Sequence, residues 1–208
     1  MNLVQPTEAR AVASVEIADD PASLDVIHET GCDAVIWQRQ TPPEVQAWID
    51  HLDPGLLPKG RVIVRPGAVR DVVEHYCMQA RTPAGPERAW LVQDIDTMAR
   101  TVSGHFAADF LRLRLDVVTH NACRKFHKDA VPARLVCTYR GTGSQYGISE
   151  SGEDPKRIFT VPTGAPILLR GTPSPEWPAS GLLHRSPPIE GTGETRFVLV
   201  IDPVDEPD

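Results

Sequence analysis

Two histidines and an aspartate in this chain have the types and spacing to share one cation. In Phe126-His127-Lys128-Asp129 the histidine and the aspartate are two positions apart, so in an extended segment both project to the same side. His184 would complete the set. Two imidazoles and one carboxylate on one face of a cation suit ferrous iron in oxygenases, because about three coordination positions stay open for substrate and dioxygen. The expected chemistry is therefore that of an iron oxygenase, with no acid or base needed beyond the metal ligands.

A fourth residue sharpens that expectation. Arg196 enters the apolar run Phe197-Val198-Leu199-Val200-Ile201, where an inward guanidinium would be buried and would need an anion. A dicarboxylate supplies one. If 2-oxoglutarate chelated the cation through its 1-carboxylate and 2-keto oxygens, its far carboxylate would lie deeper, where Arg196 could take it with two parallel hydrogen bonds. The competing reading has Arg196 facing solvent at the strand start, after Gly191-Thr192-Gly193, and paired with Glu194. Each ligand also has a plainer reading: His127 and Asp129 as a hydrogen-bonded surface pair, and His184 as a loop histidine capping a turn.

The elements that must position these residues follow from patterning. Up to about residue 111 the sequence reads as helices with short strands, and from 112 to 204 it alternates like a β domain with Gly and Pro turns. Thr41-Pro42-Pro43-Glu44 reads as an N-cap, a proline at the first helical position and a capping-box glutamate, opening a helix through Val45, Trp48, Ile49 and Leu52 that Asp53-Pro54-Gly55 closes. Further helices are expected over 69–80 and from about 86 to 110, the latter with Leu91, Ile95, Met98, Val102 and Phe106 at helical spacing. Strands are expected at 34–37, 61–64, 112–117, 134–139, 158–161, 167–170 and 196–202. The stretch Gly141 to Pro155 is rich in Gly, Ser and acids, and reads as a mobile loop at the mouth of the site. The expected fold is α+β, mainly β: one domain, with 1–111 as support and 112–204 as a double-stranded β-helix (jelly-roll, cupin-like) core flanked by helices.

Composition narrows the function classes. With 208 residues, 41% hydrophobic and 24% charged, the chain has enough length for one sizeable core. A net charge of -7 with scattered Lys and Arg argues against a nucleic-acid partner. Met1 to Arg10 lacks a leader pattern and no run approaches roughly 18 apolar residues, so a membrane partner is not expected and the cytoplasm is. Cys32, Cys77, Cys123 and Cys137 are far apart, without a Cys-x-x-Cys pair, and read as reduced thiols. One rival set remains: His120, Cys123 and His127, with Asp129 or His184, would make a closed zinc site without redox chemistry. A jelly-roll binding protein without catalysis is the other.

The order His127-x-Asp129, His184, Arg196 resembles the 2-oxoglutarate and iron(II)-dependent dioxygenase superfamily over roughly residues 112 to 202. Gly164-Ala165-Pro166-Ile167-Leu168-Leu169 before His184, and His184-Arg185-Ser186-Pro187-Pro188-Ile189 through Gly193 to Arg196, look like its closing strands. More closely, Phe126-His127-Lys128-Asp129, Thr138-Tyr139-Arg140-Gly141 and His184-Arg185-Ser186-Pro187-Pro188 resemble the bacterial domain of unknown function 1826 family across most of the chain. The resemblance implies His127, Asp129 and His184 as iron ligands and Arg196 as the 2-oxoglutarate anchor. It also implies Tyr139 as a supporting hydroxyl and His120 as a further co-substrate contact. The family's setting near zinc-responsive genes keeps zinc as the alternative cation. It names no substrate, small molecule or protein, and no oligomeric state.

Overall fold

The computed structural model describes residues 14–149, 152–173 and 181–206. The leader reading of Met1 to Arg10, the tip of the 141–155 stretch and most of the Pro-rich turn before His184 lie outside them. The chain runs β1 (Ser14–Ala18), a 3-10 turn (Ala22–His28), β2 (Cys32–Trp37), α1 (Pro43–His51), β3 (Gly60–Val64), α2 (Val69–Gln79) and α3 (Pro86–Phe106). It continues with β4 (Phe110–Val118), β5 (Ala133–Arg140), β6 (Gln145–Ile148), β7 (Phe159–Thr160), β8 (Pro166–Arg170), β9 (Leu182–Arg185) and β10 (Arg196–Val204).

Among the described residues ten strands make two sheets: seven in the order β1-β2-β8-β5-β10-β4-β3, and three in the order β7-β6-β9. Only β1 and β2 pair in parallel; every other named pairing is antiparallel. Strand alternation assigns the two faces of the large sheet. Phe197, Leu199 and Ile201 of β10, with Leu135, Cys137 and Tyr139 of β5 and Leu111, Leu113 and Leu115 of β4, join the core that includes Val45 and Ile49 of α1, Val73 of α2 and Leu91, Ile95 and Met98 of α3. Val198 and Val200, with Val136, Ile167, Leu169 and Leu182, form a second core beneath the small sheet. Helices therefore cover one face and the small sheet the other. No helix among the described residues is long and apolar enough to cross a membrane.

Several expectations need correction. The 141–155 stretch is not all loop: Gln145–Ile148 is the central strand of the small sheet, and Ser144 and Ser149 at its ends are buried. Its few apolar residues hid it, because the sheet presents Tyr146 to the second core and leaves Ile148 exposed. The first helix begins at Pro43 with Pro42 at the cap and no side-chain cap, so Thr41 does not cap it. Asp53 instead caps the short 3-10 turn Pro54–Leu56, accepting from the Gly55 N–H at 2.7 Å. The long helix stops at Phe106, where Ala107 takes a left-handed conformation (φ 48°) and donates to the Ser103 carbonyl.

Candidate metal centre and its cavity

His127, Asp129 and His184 come together because two chain segments far apart in sequence pair locally. His127 and His184 exchange backbone hydrogen bonds, each N–H 3.0 Å from the other's carbonyl, as an isolated antiparallel bridge that extends the edge of β9. Asp129 is fixed by the end of β8: its carbonyl accepts from the Thr172 N–H at 2.9 Å, and the Pro132 carbonyl accepts from the Gly171 N–H at 3.0 Å. A Cβ on Gly171 would lie 1.6 Å from the Val131 carbonyl oxygen and 2.9 Å from that of Asp129. Gly171→Ala is therefore expected to push out the 129–132 turn at about 3 kcal/mol of stability. Thermal denaturation, with cobalt(II) binding as the readout of site geometry, checks this; an unaltered variant contradicts it.

One ligand atom from each of the three residues lies within 4.8 Å of the other two. His184 Nε2 is 3.0 Å and His127 Nε2 3.7 Å from the Asp129 carboxylate. His127 Nδ1 donates to the Lys125 carbonyl at 2.9 Å, so its Nε2 keeps a lone pair toward the carboxylate in the neutral ring. Asp129 Oδ2 is buried and makes no hydrogen bond of acceptable geometry, although His184 Nε2 is close by. An unsatisfied carboxylate oxygen 3.0 Å from one imidazole nitrogen, on a carboxylate that a second imidazole nitrogen approaches to 3.7 Å, is an atom placed for a cation, and two nitrogens with one oxygen are a donor set that first-row divalent metals accept.

Electrostatics agree with a permanently charged Asp129. Burial would push its carboxyl up, but the His127 and His184 rings beside it and the charge of Arg134 hold it well below the usual carboxylate range. His127 is raised, chiefly by the Asp129 carboxylate beside it. Arg134 on β5 ties this carboxylate to the sheet: it donates to Asp129 Oδ1 and twice to Asp202 of β10, at 2.6 and 2.7 Å. Neither Arg134 nor Asp202 was singled out in the sequence. The rule applied to Arg196, that an inward arginine on an apolar strand needs an acid, finds Arg134 as well.

Arg196 faces inward, not solvent. It is 2% exposed, with Nε donating to the Thr142 carbonyl at 2.7 Å and Nη2 to Thr138 Oγ1 at 3.2 Å. Burial pulls its pKa down to about 10, only partly countered by Glu194. Glu194 does not pair with it; its carboxylate accepts from the Thr142 N–H and hydroxyl. His127, His184 and Arg196 line one cavity of about 180 Å³, walled by Val118, Val136, Val198 and Val200. It is smaller than the roughly 300–1,000 Å³ of sites for drug-sized ligands. Arg185 also lines it, its guanidinium 4.4 Å above the Phe126 ring and its Nε donating to Gln145 at 2.8 Å.

Tyr139 and His120 lie elsewhere. The Tyr139 phenol is fully buried on the helical side and donates to Asp94 of α3 at 2.7 Å; the same carboxylate accepts from Arg39. On β5, Tyr139 is the extra residue of a bulge, since Phe197 pairs with Arg140 and Val198 with Thr138. Arg140 also turns to the helices, donating to the Leu52 carbonyl, so β5 meets the cavity side through Thr138. Thr138 is thus the hydroxyl beside Arg196, one residue from the expected position. Tyr139→Phe is expected to cost about 1 kcal/mol of stability from the lost buried hydrogen bond and to leave cavity ligands untouched. Thr138→Val should do the reverse, weakening dicarboxylate binding with little change in stability; calorimetry on both variants separates them. His120 is exposed, its Nδ1 donating to the Asn121 carbonyl at 3.1 Å. Cys123 lines the cavity mouth, but neither it nor His120 belongs to a metal-capable group among the described residues, so the rival zinc set is not assembled.

The sequence profile described as "Protein of unknown function (DUF1826)" matches residues 18–202. The chain belongs to the DUF1826 family. No curated protein matches. Among solved structures, the chain is similar to the dioxygenase for auxin oxidation 1 from Arabidopsis thaliana in its complex with 2-oxoglutarate: 12% identity, TM-score 0.51, 95% of each chain covered. It is also similar to the rice dioxygenase for auxin oxidation, with 12% identity, TM-score 0.50, and 92% of this chain and 83% of that one covered. At such identity the likeness establishes a shared fold: a large and a small sheet arranged as in 2-oxoglutarate oxygenases.

Proposed function

We propose that this DUF1826 protein is a non-haem iron(II) and 2-oxoglutarate-dependent oxygenase built on a double-stranded β-helix, with His127, Asp129 and His184 holding the metal and Arg196 the co-substrate. The observation that carries this reading is the buried guanidinium of Arg196, which has no acid partner among the described residues and lines the same small cavity as the two histidines. A buried cation is retained at a cost unless an anion pairs with it, and a dicarboxylate reaching in from the metal does so. Likeness in fold to a dioxygenase solved with 2-oxoglutarate supports the same reading.

Bound iron(II), with 2-oxoglutarate and dioxygen, supplies oxidation of a bound substrate as 2-oxoglutarate goes to succinate and carbon dioxide. The chain's residues prepare the site. Arg134 holds the Asp129 carboxylate and keeps it ionised; the Lys125 carbonyl fixes the His127 tautomer. Thr138 and the Thr142 carbonyl aim the Arg196 guanidinium, and the valine walls keep water from the buried end. Arg185, which lines the cavity with its guanidinium over the Phe126 ring, would offer a substrate a cationic contact.

Aerobic incubation with iron(II) and 2-oxoglutarate tests this. Slow succinate formation that requires the protein and disappears in His127→Ala is expected. Succinate no faster than with iron alone, under conditions where the metal is bound, overturns it.

A further inference from the structure

We propose that Asp25, His28 and His105 form a second divalent-cation site, of the type zinc prefers, which staples the 3-10 turn Ala22–His28 to the C-terminal end of α3. One ligand atom from each of these residues lies within 4.8 Å of the other two. None of them lines the cavity that holds His127, His184 and Arg196, so the site is separate from the oxygenase reading.

Both rings are already turned for the task. His28 Nε2 lies 3.0 Å from the His105 carbonyl oxygen, and His105 Nε2 lies 2.9 Å from that of Pro21. A carbonyl oxygen only accepts, so each Nε2 carries the proton and each neutral ring keeps its lone pair on Nδ1. A backbone carbonyl on the far nitrogen is the usual support of a metal-ligating histidine. His105 Nδ1 then faces Asp25 Oδ1 at 3.5 Å, beyond an ordinary hydrogen bond. A lone pair set against a carboxylate repels until a cation stands between them.

The helix adds to this. His105 sits in the last turn of α3, where the backbone carbonyls concentrate negative charge and favour a cation. The His105 carbonyl, at that end of the helix, is taken up by the His28 ring, which pins the turn against the helix end. Two imidazole nitrogens and one carboxylate oxygen make three of the four tetrahedral positions that zinc takes, with water for the fourth.

The probe is zinc alone, titrated calorimetrically into the full chain. Two equivalents are expected, one for each group, falling to one in Asp25→Asn. In the Asp129→Ala/His184→Ala chain a single equivalent should remain, and His28→Gln should weaken it by about tenfold or more, a loss of the size seen when partners of a metal site are removed. Zinc should also raise the Tm of that chain and leave the Tm of its Asp25→Asn derivative unmoved. Asp25 is exposed, so its replacement tests the site without touching the core. Zinc binding unchanged by Asp25→Asn and His28→Gln overturns the proposal. So does an Asp129→Ala/His184→Ala chain that folds and binds no zinc, which would leave Asp25 and His105 as a simple ion pair.

Discussion

Asp129→Ala is expected to weaken iron(II) binding by more than about a hundredfold, because loss of mere supporting partners already costs about 10–100-fold in metal sites. The substitution removes the one carboxylate that lies between His127 and His184. It also releases Arg134, which keeps Asp202. Iron titration followed by equilibrium dialysis gives the number, and binding within a few-fold of the unaltered chain contradicts the assignment. A second consequence appears in the metal-free protein. Since the folded Asp129 carboxyl is held below its ordinary value of 3.8, its contribution to stability is full above that pH and is lost as the pH falls below it. Denaturation curves of the unaltered chain and of Asp129→Asn should accordingly differ near neutrality, by about 2 kcal/mol for charge-assisted hydrogen bonds, and draw together in acid.

Arg196→Met should separate function from stability. A methionine of similar length fills the space, and the cost of keeping a buried guanidinium without an acid disappears. Against that gain stand two lost hydrogen bonds, to the Thr142 carbonyl and the Thr138 hydroxyl. The expected balance is a Tm no lower than that of the unaltered chain, while 2-oxoglutarate affinity falls by about ten- to a hundredfold, the size of a charge-assisted pair. A variant that unfolds easily but binds 2-oxoglutarate normally would make Arg196 a structural residue and remove the observation on which the proposed function rests.

The sequence made much of this legible because the site is built from strand parity. His127 and Asp129 share a side by their spacing of two, and the same rule buries Arg196 at the head of an apolar strand. Parity also explains the residue that went astray. Tyr139 keeps the parity of Leu135 and Cys137 and so faces the helices, while Thr138 keeps that of Val136 and meets the cavity side. The bulge opposite Phe197 and Val198 tells one residue later, where Arg140 turns to the helices as well. The small sheet was hidden for a related reason. β6 is only four residues long, Gln145-Tyr146-Gly147-Ile148, inside a stretch rich in Gly, Ser and acids, and its Tyr146 and Gly147 pair with His184 and Leu183 far along the chain. His184, whose plainer reading is a loop histidine capping a turn, is a strand residue held by that pairing. The helices were legible through their apolar spacing, with errors confined to their ends, where Pro42 and Ala107 set the caps.

The central claim is that one cavity holds a metal on His127, Asp129 and His184 and a dicarboxylate on Arg196. Anaerobic titration of the iron(II)-loaded protein with 2-oxoglutarate, followed by visible absorption, tests it most directly, because a weak charge-transfer band arises only when the keto acid chelates ferrous iron in the site. A saturable band is predicted, absent in Asp129→Ala and shifted to higher 2-oxoglutarate concentration in Arg196→Met. Iron that binds without any band on saturation with 2-oxoglutarate, or a band indifferent to both substitutions, would contradict the account.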